Sequence, residues 1–282
     1  MKRTNMLIFI LLIIISILVL TIYLQKTVPP EQPKLTSPTP ATEEPPKQPI
    51  VHYPVPIPLT QDEQTEKVVA EEQPEVSQLE LSFPEQLPPV QESDETIQRA
   101  LENLHIKKSL FSLIVMENFI QKLVVTVDNL TEKRLPQAHL PLRKPLGRFI
   151  TSGTEEAPQT STRNHPRYTK YVQLLEVIDV DLASKIYVYF YSLFQSAYVQ
   201  LGYQNAYFND RLVYVIEHLL ETPNPAEPIL LAQPSVFYTY ADPTLEQLSS
   251  GQKILLRIGP EHRAKVMKIL RSYRQKLIKL HP

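Results

Sequence analysis

Ser250 and Lys253 have the spacing S-x-x-K, in which a serine at a helix start loses its proton to a lysine one turn later. Enzymes that use this pair also need S-x-N and K-T-G elements on a mixed sheet, and the sequence contains neither. In the same stretch, Ser249 and Gln252 have the spacing of a helix capping box, which needs no substrate. We therefore expect a helix start here, and a hydrolase that uses Ser250 and Lys253, or a carboxylate such as Asp210, is the alternative.

Metal and cofactor chemistry has no support in the sequence. The chain contains no cysteine, which excludes disulfides, thiolate metal sites and cysteine nucleophiles. Its 7 histidines show no H-x-x-x-H or similar spacing, and no G-x-G-x-x-G, P-loop or G-x-S-x-G motif occurs. The sequence therefore predicts no metal, no cofactor and no catalytic residues, and a non-catalytic protein is favoured over an enzyme.

Five consecutive residues form a candidate binding group at a predicted helix start. Helix N-termini attract anions, and an arginine beside one could hold a carboxylate or a phosphate. On a helical wheel Asp210 and Arg211 fall opposite the apolar arc, so both are predicted to be exposed, with Asn209 as the N-cap. A plain helix start with solvated charges is the favoured alternative. The candidates are Tyr207, Phe208, Asn209, Asp210 and Arg211.

The last predicted helix is strongly basic and has a narrow apolar stripe. A basic amphipathic helix can lie on anionic lipid or dock on an acidic partner, and nucleic acid is not expected for a domain outside the cytoplasm. A terminal helix packed by its stripe, with a solvated basic face, is the favoured interpretation. The residues of the predicted basic surface are Arg263, Lys265, Lys268, Arg271 and Arg274.

The elements that must position these residues follow a predicted membrane anchor. Residues 7–24 carry no charge and would form a helix of about 27 Å, close to the thickness of the bilayer hydrocarbon core. Lys2 and Arg3 precede this span, so residues 1–6 are predicted to be cytoplasmic and the rest of the chain to lie outside. A cleaved signal peptide is the alternative, but no small-x-small site follows the apolar run.

Residues 25–92 are expected to form a disordered linker rich in proline and glutamate. Their 4 basic and 12 acidic side chains give 4 − 12 = −8, whereas residues 93–282 give 23 − 18 = +5. The piece that reads "PVPIPL" favours polyproline II, a semi-rigid spacer. Proline-rich segments are also ligands for aromatic grooves, but the spacer interpretation is favoured.

Residues 93–282 predict a mostly α, bundle-like outer domain. Apolar residues recur at helical spacing, and capping signals at Ser93, Asp179 and Ser249 mark helix starts. One predicted helix runs from Asp179 or Asp181 to Gln200 and carries an aromatic face, for which a core role is favoured over sugar binding. Predicted helices also cover residues 113–127, 166–178 and 209–222, while 133–148 is predicted to be irregular. The aromatic face comprises Tyr187, Phe190, Tyr191, Phe194 and Tyr198.

Several stretches in the outer domain, in this order, resemble one bacterial protein family. They read "VVTVDNL", "YVQLLEVID", "YFYSLFQSAYVQLGYQNAYFNDRLVYVIEHLLETPNP" and "YADPTLEQLSSGQKILLRIGP". The family is domain of unknown function 3014, and the resemblance covers residues from about 90 to 275. It implies an N-terminal membrane segment, a variable proline-rich linker and this domain, in Gram-negative bacteria, and it implies no reaction, substrate or ligand residues.

Together these features predict a single-pass inner-membrane protein with its main domain in the periplasm. A non-catalytic adaptor or scaffold that binds an envelope protein or peptidoglycan is the expected function, and an envelope hydrolase acting on peptide or glycan is the alternative. The expected contacts are the inner membrane through residues 7–24, an envelope partner, and anionic lipid at the last helix as a third hypothesis.

Overall fold

The computed structural model describes residues 51–56, 86–102, 104 and 106–280. The chain divides into two units, Met1–Pro46 and Lys47–Pro282, and every described residue belongs to the second unit. The predicted span at 7–24 and most of the predicted linker lie outside the described residues. No helix in the described part of the chain is long and apolar enough to cross a membrane.

The described residues are mostly helical, which confirms the mostly α part of the expected fold class. Two small antiparallel hairpins accompany the helices: β1 (Thr151–Gly153) pairs with β2 (Pro158–Thr160), and β3 (Leu231–Ala232) pairs with β4 (Thr239–Tyr240). The helices are α1 (Asp94–Glu102), α2 (Lys108–Phe111), α3 (Phe119–Asn129), α4 (Thr169–Val177), α5 (Val180–Tyr189), α6 (Tyr191–Gln200), α7 (Phe208–Leu220), α8 (Pro243–Glu246), α9 (Ser250–Arg257) and α10 (Pro260–Leu277).

Side-chain caps fix two helix starts where the sequence predicts them, whereas the hydroxyl of Ser93 donates to the Val90 carbonyl instead. The carboxylate of Asp179 accepts a hydrogen bond from the Leu182 N–H at 2.8 Å, so Asp179 is the N-cap of α5. Ser249 and Gln252 form the predicted capping box at the start of α9. Gly259, with φ +86°, separates α9 from α10, and Pro260 is the first residue of α10.

The largest differences between predicted and observed helix bounds affect two helices. The predicted helix from residue 113 begins only at Phe119, because Asn118 has φ +51° and Asp94 accepts hydrogen bonds from the N–H groups of both residues. The predicted continuous helix to Gln200 bends at Phe190 and becomes α5 and α6. The spacing of apolar residues indicates neither a cap that comes from a distant residue nor a bend inside a run of aromatic residues.

The bend between α5 and α6 directs aromatic residues from both helices into one core. Phe190, Phe194 and Tyr198 are buried, and the Tyr187 ring lies 5.3 Å from that of Phe194. Phe208 of α7 stacks on Phe194 with ring centroids 5.7 Å apart. The predicted core role of the aromatic face is therefore confirmed, and this core supports the start of α7.

Candidate functional site

The start of α7 is held by a side chain from the neighbouring helix α6. The side-chain oxygen of Gln195 accepts a hydrogen bond from the Phe208 N–H at 2.8 Å, and its amide nitrogen donates to the Ala206 carbonyl at 2.7 Å. The helix begins at Phe208, with Tyr207 at the N-cap position, so the prediction of Asn209 as N-cap is wrong. A glutamine from α6 satisfies the first free N–H group of the helix instead.

Most of the predicted binding group is buried. Asp210 and Arg211 are 5% and 3% exposed, so the prediction that both are exposed is wrong. Phe208 and Asn209 are buried as well, and Tyr207 is 49% exposed. The helical wheel assumed a helix covered on one side, whereas α7 packs against α3, α6, α9 and α10.

Arg211 stabilises the contact between α7 and α3. Its Nε donates to Asp128 Oδ1 at 2.9 Å, and its Nη2 donates to the Asp128 carbonyl at 2.6 Å and to Thr131 Oγ1 at 2.9 Å. Its guanidinium also lies 5.4 Å from the ring centre of Tyr214. The guanidinium is thus paired inside the domain, which contradicts the hypothesis that Arg211 holds an external carboxylate or phosphate.

One described part of the predicted linker, residues 51–56, binds at the start of α7. Residues 51–56, the linker segment, lie against Asp210: Tyr53 N–H donates to Asp210 Oδ1 at 2.7 Å, and His52 Nδ1 lies 2.8 Å from Asp210 Oδ2. The amide of Asn209 donates to the Tyr53 carbonyl at 2.8 Å. The His52 and Tyr207 rings are in contact, with centroids 4.1 Å apart. For these six residues the expectation of a disordered spacer is corrected. The same holds for residues 86–92, where Leu87 and Val90 pack on the main core.

We call Tyr207, Asn209 and Asp210 the clamp, and Tyr187 orients its central residue. The Tyr187 hydroxyl donates to Asn209 Oδ1 at 3.2 Å, which leaves the Asn209 amide nitrogen directed at the linker segment. Burial, with smaller contributions from Tyr191 and Asp210, raises the pKa of Tyr187 well above its ordinary value. Tyr187 therefore stays a hydrogen-bond donor, and the orientation of Asn209 is fixed.

The linker segment also makes apolar contacts with the domain. Tyr53 packs against a cluster formed by Val213, Ile216 and Leu277, and Val55 packs against the main core. Tyr53 and Val55 are half-buried, whereas His52, Pro54 and Pro56 are exposed. This alternation is typical of an extended peptide that presents every second side chain to its receptor.

The sequence prediction missed His52, Tyr53 and Tyr187. A usable signal exists in the linker, because residues 48–61 contain no charged side chain while the remainder of 25–92 is strongly acidic. An apolar island with two aromatic rings inside an acidic linker indicates a segment that binds something. Tyr187 gave no such signal, since on a predicted aromatic core face it resembles its neighbours.

The S-x-x-K pair is engaged in structural contacts. Ser250 Oγ donates to the Asn129 carbonyl at 3.1 Å, and Lys253 forms an ion pair with Glu246. A second serine, Ser249, lies 2.9 Å from His218 Nε2, but it is the 5% exposed N-cap of α9. A nucleophile must be reached by its substrate, so this serine–histidine contact is a structural one.

His218 should make the stability of the domain depend on pH. Burial lowers the pKa of His218 below its ordinary value of 6.5, although Glu221 and Glu132 act in the opposite direction. As the pH falls through 6.5, His218 binds a proton in the unfolded chain before it does so in the folded one. The free energy of unfolding therefore falls as the pH decreases from 7 towards 5. Denaturant unfolding of Lys47–Pro282 at both pH values should show a smaller pH effect in His218→Gln. His139→Gln, at an exposed position, is the control and should keep the wild-type pH effect.

Only some residues of the predicted basic surface on the last helix are exposed and without an ion pair in the described structure. Arg263 is 3% exposed and donates to Asn224, so the prediction is wrong for this residue. Lys265 pairs with Glu176 at 3.2 Å, and Arg274 Nε donates to Glu217 at 2.7 Å. Lys268 and Arg271 are exposed. Within the described residues, no group of acidic and histidine side chains could hold a metal ion.

Comparison with known protein families gives a match over more than half of the chain. A family model described as "Protein of unknown function (DUF3014)" matches residues 119–274, which include α3 to α9 and most of α10. No curated protein and no solved structure matches the chain. The matched region contains all three clamp residues but not the linker segment.

Proposed function

The chain belongs to DUF3014, a family of proteins of unknown function, and from this premise we propose that it is a non-catalytic, membrane-anchored adaptor. Its anchor would be residues 7–24 in the inner membrane, with the domain in the periplasm. The clamp at the start of α7 would hold an extended segment of an envelope protein. The adaptor would thereby keep that protein within the reach of the linker.

One observation carries this proposal: the clamp already binds a peptide segment that is distant in sequence. The Tyr53 N–H and carbonyl are both hydrogen-bonded to clamp side chains, at 2.7 Å and 2.8 Å. Main-chain recognition of this kind supplies affinity for extended peptides, and neighbouring side-chain contacts supply specificity. It supports a protein partner over the glycan chains of peptidoglycan, which offer no comparable succession of peptide groups.

The alternative function, an envelope hydrolase, has weaker support. Ser250, Lys253 and Asp210 are the residues it would use, and each is engaged in contacts within the domain. A hydrolase would turn over sacculi or peptides, and a serine-directed probe would label Ser250. The contacts of these residues favour binding over catalysis.

Crosslinking in cells tests the proposed function. We expect a photo-crosslinking amino acid in place of Tyr207, the clamp residue that is 49% exposed, to yield a reproducible adduct with an envelope protein. The same substitution at Phe237, 78% exposed in the turn between β3 and β4, is the control for random collisions. The adduct should disappear when Asp210→Ala is introduced into the same chain, because the clamp then loses its acceptor.

Adducts that are equal at Tyr207 and Phe237, or that survive Asp210→Ala, would contradict an adaptor role for the clamp. An adduct with peptidoglycan in place of protein would show that the partner of the domain is peptidoglycan. Circular dichroism of each variant separates loss of binding from loss of folding.

A further inference from the structure

The clamp is occupied by the chain's own linker, and the chemistry of that contact defines what else it can bind. We propose that the clamp recognises extended peptides in which an aromatic residue precedes proline, and that the linker segment is an internal competitor that such a peptide must displace. This inference rests on the proposed function and names the ligand class of the same site.

The main-chain contacts define the first part of the ligand. One residue of the ligand must offer an N–H to Asp210 and a carbonyl to Asn209, as Tyr53 does. That residue cannot be proline, which has no N–H, but the next residue can, because Pro54 is exposed and its nitrogen is not needed. A following proline also confines the aromatic residue to extended backbone conformations and so lowers the entropy lost on binding.

The side-chain contacts define the second part. The position of Tyr53 faces the apolar cluster of Val213, Ile216 and Leu277, so an aromatic or large apolar side chain fits there. Two positions later Val55 packs against the main core, which favours a second apolar residue. The resulting pattern is aromatic, proline, apolar, and it corresponds to Tyr-Pro-Val in the linker segment.

The charge of the clamp defines which ligands are rejected. Asp210 is 5% exposed, and its two carboxylate oxygens contact the imidazole of His52 and the N–H of Tyr53. A buried carboxylate without donors is costly, so the clamp favours a ligand that brings donors and disfavours one that brings acidic groups. Residues 48–61 satisfy this condition because they lack charge, unlike the acidic stretches on either side.

The covalent connection makes the linker segment a strong competitor. Residues 57–85 join the segment to the rest of the domain, and a connection of this length gives an effective concentration of about millimolar order. A free peptide with the same intrinsic affinity therefore binds the wild-type chain weakly. Weakening the segment should increase the apparent affinity for that peptide without any change in the clamp.

A peptide-binding experiment on the full chain in detergent tests the inference. The probe is a fluorescent peptide with the sequence of residues 49–58, PIVHYPVPIP. We call the chain with His52→Ala and Tyr53→Ala the opened chain. We expect the opened chain to bind this peptide at least tenfold more tightly than the wild-type chain does. The matched control is Val51→Ala, which changes an exposed residue of the same segment and should behave as wild type.

Two further arms establish the specificity of binding. A probe with alanine in place of its tyrosine should not bind, and Asp210→Ala added to the opened chain should abolish binding. Circular dichroism shows whether each variant is folded, and Arg271→Ala, an exposed change on α10, is a second folding control. Loss of the probe in a folded Asp210→Ala chain assigns binding to the clamp.

Three outcomes would overturn the inference. Equal binding to the wild-type and opened chains would show that the segment does not compete, while the clamp's role as a peptide site stands. No binding to a folded opened chain would reject the ligand class, and the adaptor proposal would then depend on the crosslinks at Tyr207. A wild-type dimer that is lost on Tyr53→Ala would show that the segment is exchanged between two copies.

Discussion

Replacing Arg211 by alanine is expected to lower the free energy of unfolding of the domain by about 3–5 kcal/mol, as for other broken buried ion pairs. The substitution removes three hydrogen bonds, two to Asp128 and one to Thr131, and leaves Asp128 with a largely buried charge. The hydroxyl of Tyr203, which donates to Asp128 Oδ2 at 3.1 Å, cannot neutralise that charge. Denaturant unfolding of Lys47–Pro282 measures the effect.

Arg274→Ala is the matched control for Arg211→Ala. Arg274 also pairs with a carboxylate, that of Glu217, but both side chains are more than one third exposed. Solvent screens such a pair, so this substitution should cost less than about 1 kcal/mol. If Arg211→Ala and Arg274→Ala have equal effects, the buried network does not hold α7 against α3 as described.

Replacing Gly259 by alanine is expected to destabilise the domain by about 3 kcal/mol or more, because strain and crowding act together. Gly259 has φ +86° and ψ 164°, a conformation that essentially only glycine adopts. A Cβ at this position would lie 2.6 Å from three atoms of the His165 ring. Relief would require movement of His165, which lies 3.5 Å from the carboxylate of Glu227. Thermal unfolding, followed by circular dichroism, measures the loss.

Gly202→Ala separates the two contributions to that loss. Gly202 has φ +107°, but nothing lies within 4 Å of the position that its Cβ would take. This variant should therefore show the backbone strain without the crowding, about 1–3 kcal/mol. A Gly259→Ala effect no larger than the Gly202→Ala effect would mean that the His165 ring moves aside without cost.

The sequence predicts well those parts of the fold that depend on neighbouring residues. The cap at Asp179 and the capping box at Ser249 each involve residues within one helical turn. The aromatic core face is predicted for the same reason, since helical spacing places its members together. The bend at Phe190 is not predicted, because it depends on how α6 packs against α3 and α7.

The sequence singles out the run from Tyr207 to Arg211 but not the contacts that it makes. The linker segment lies against this run, whereas the expected anion binder, Arg211, is an internal pair partner of Asp128. The residue that accepts hydrogen bonds from the linker segment is Asp210. Long-range pairs such as Arg211 with Asp128, or Asp210 with His52, have no periodicity that a single sequence could reveal.

If residues 7–24 anchor the chain, as we propose, the binding of residues 51–56 has a mechanical consequence. With the segment bound, 50 − 24 = 26 residues separate the anchor from the clamp, whereas 85 − 24 = 61 residues precede the described part of the outer domain once the segment is released. At about 3.1 Å per extended residue, the contour length rises from about 80 Å to about 190 Å. A pulling force on the chain would therefore act on the clamp before it acts on the helical core. Each release of the segment would lengthen the connection between the anchor and the domain by the same amount.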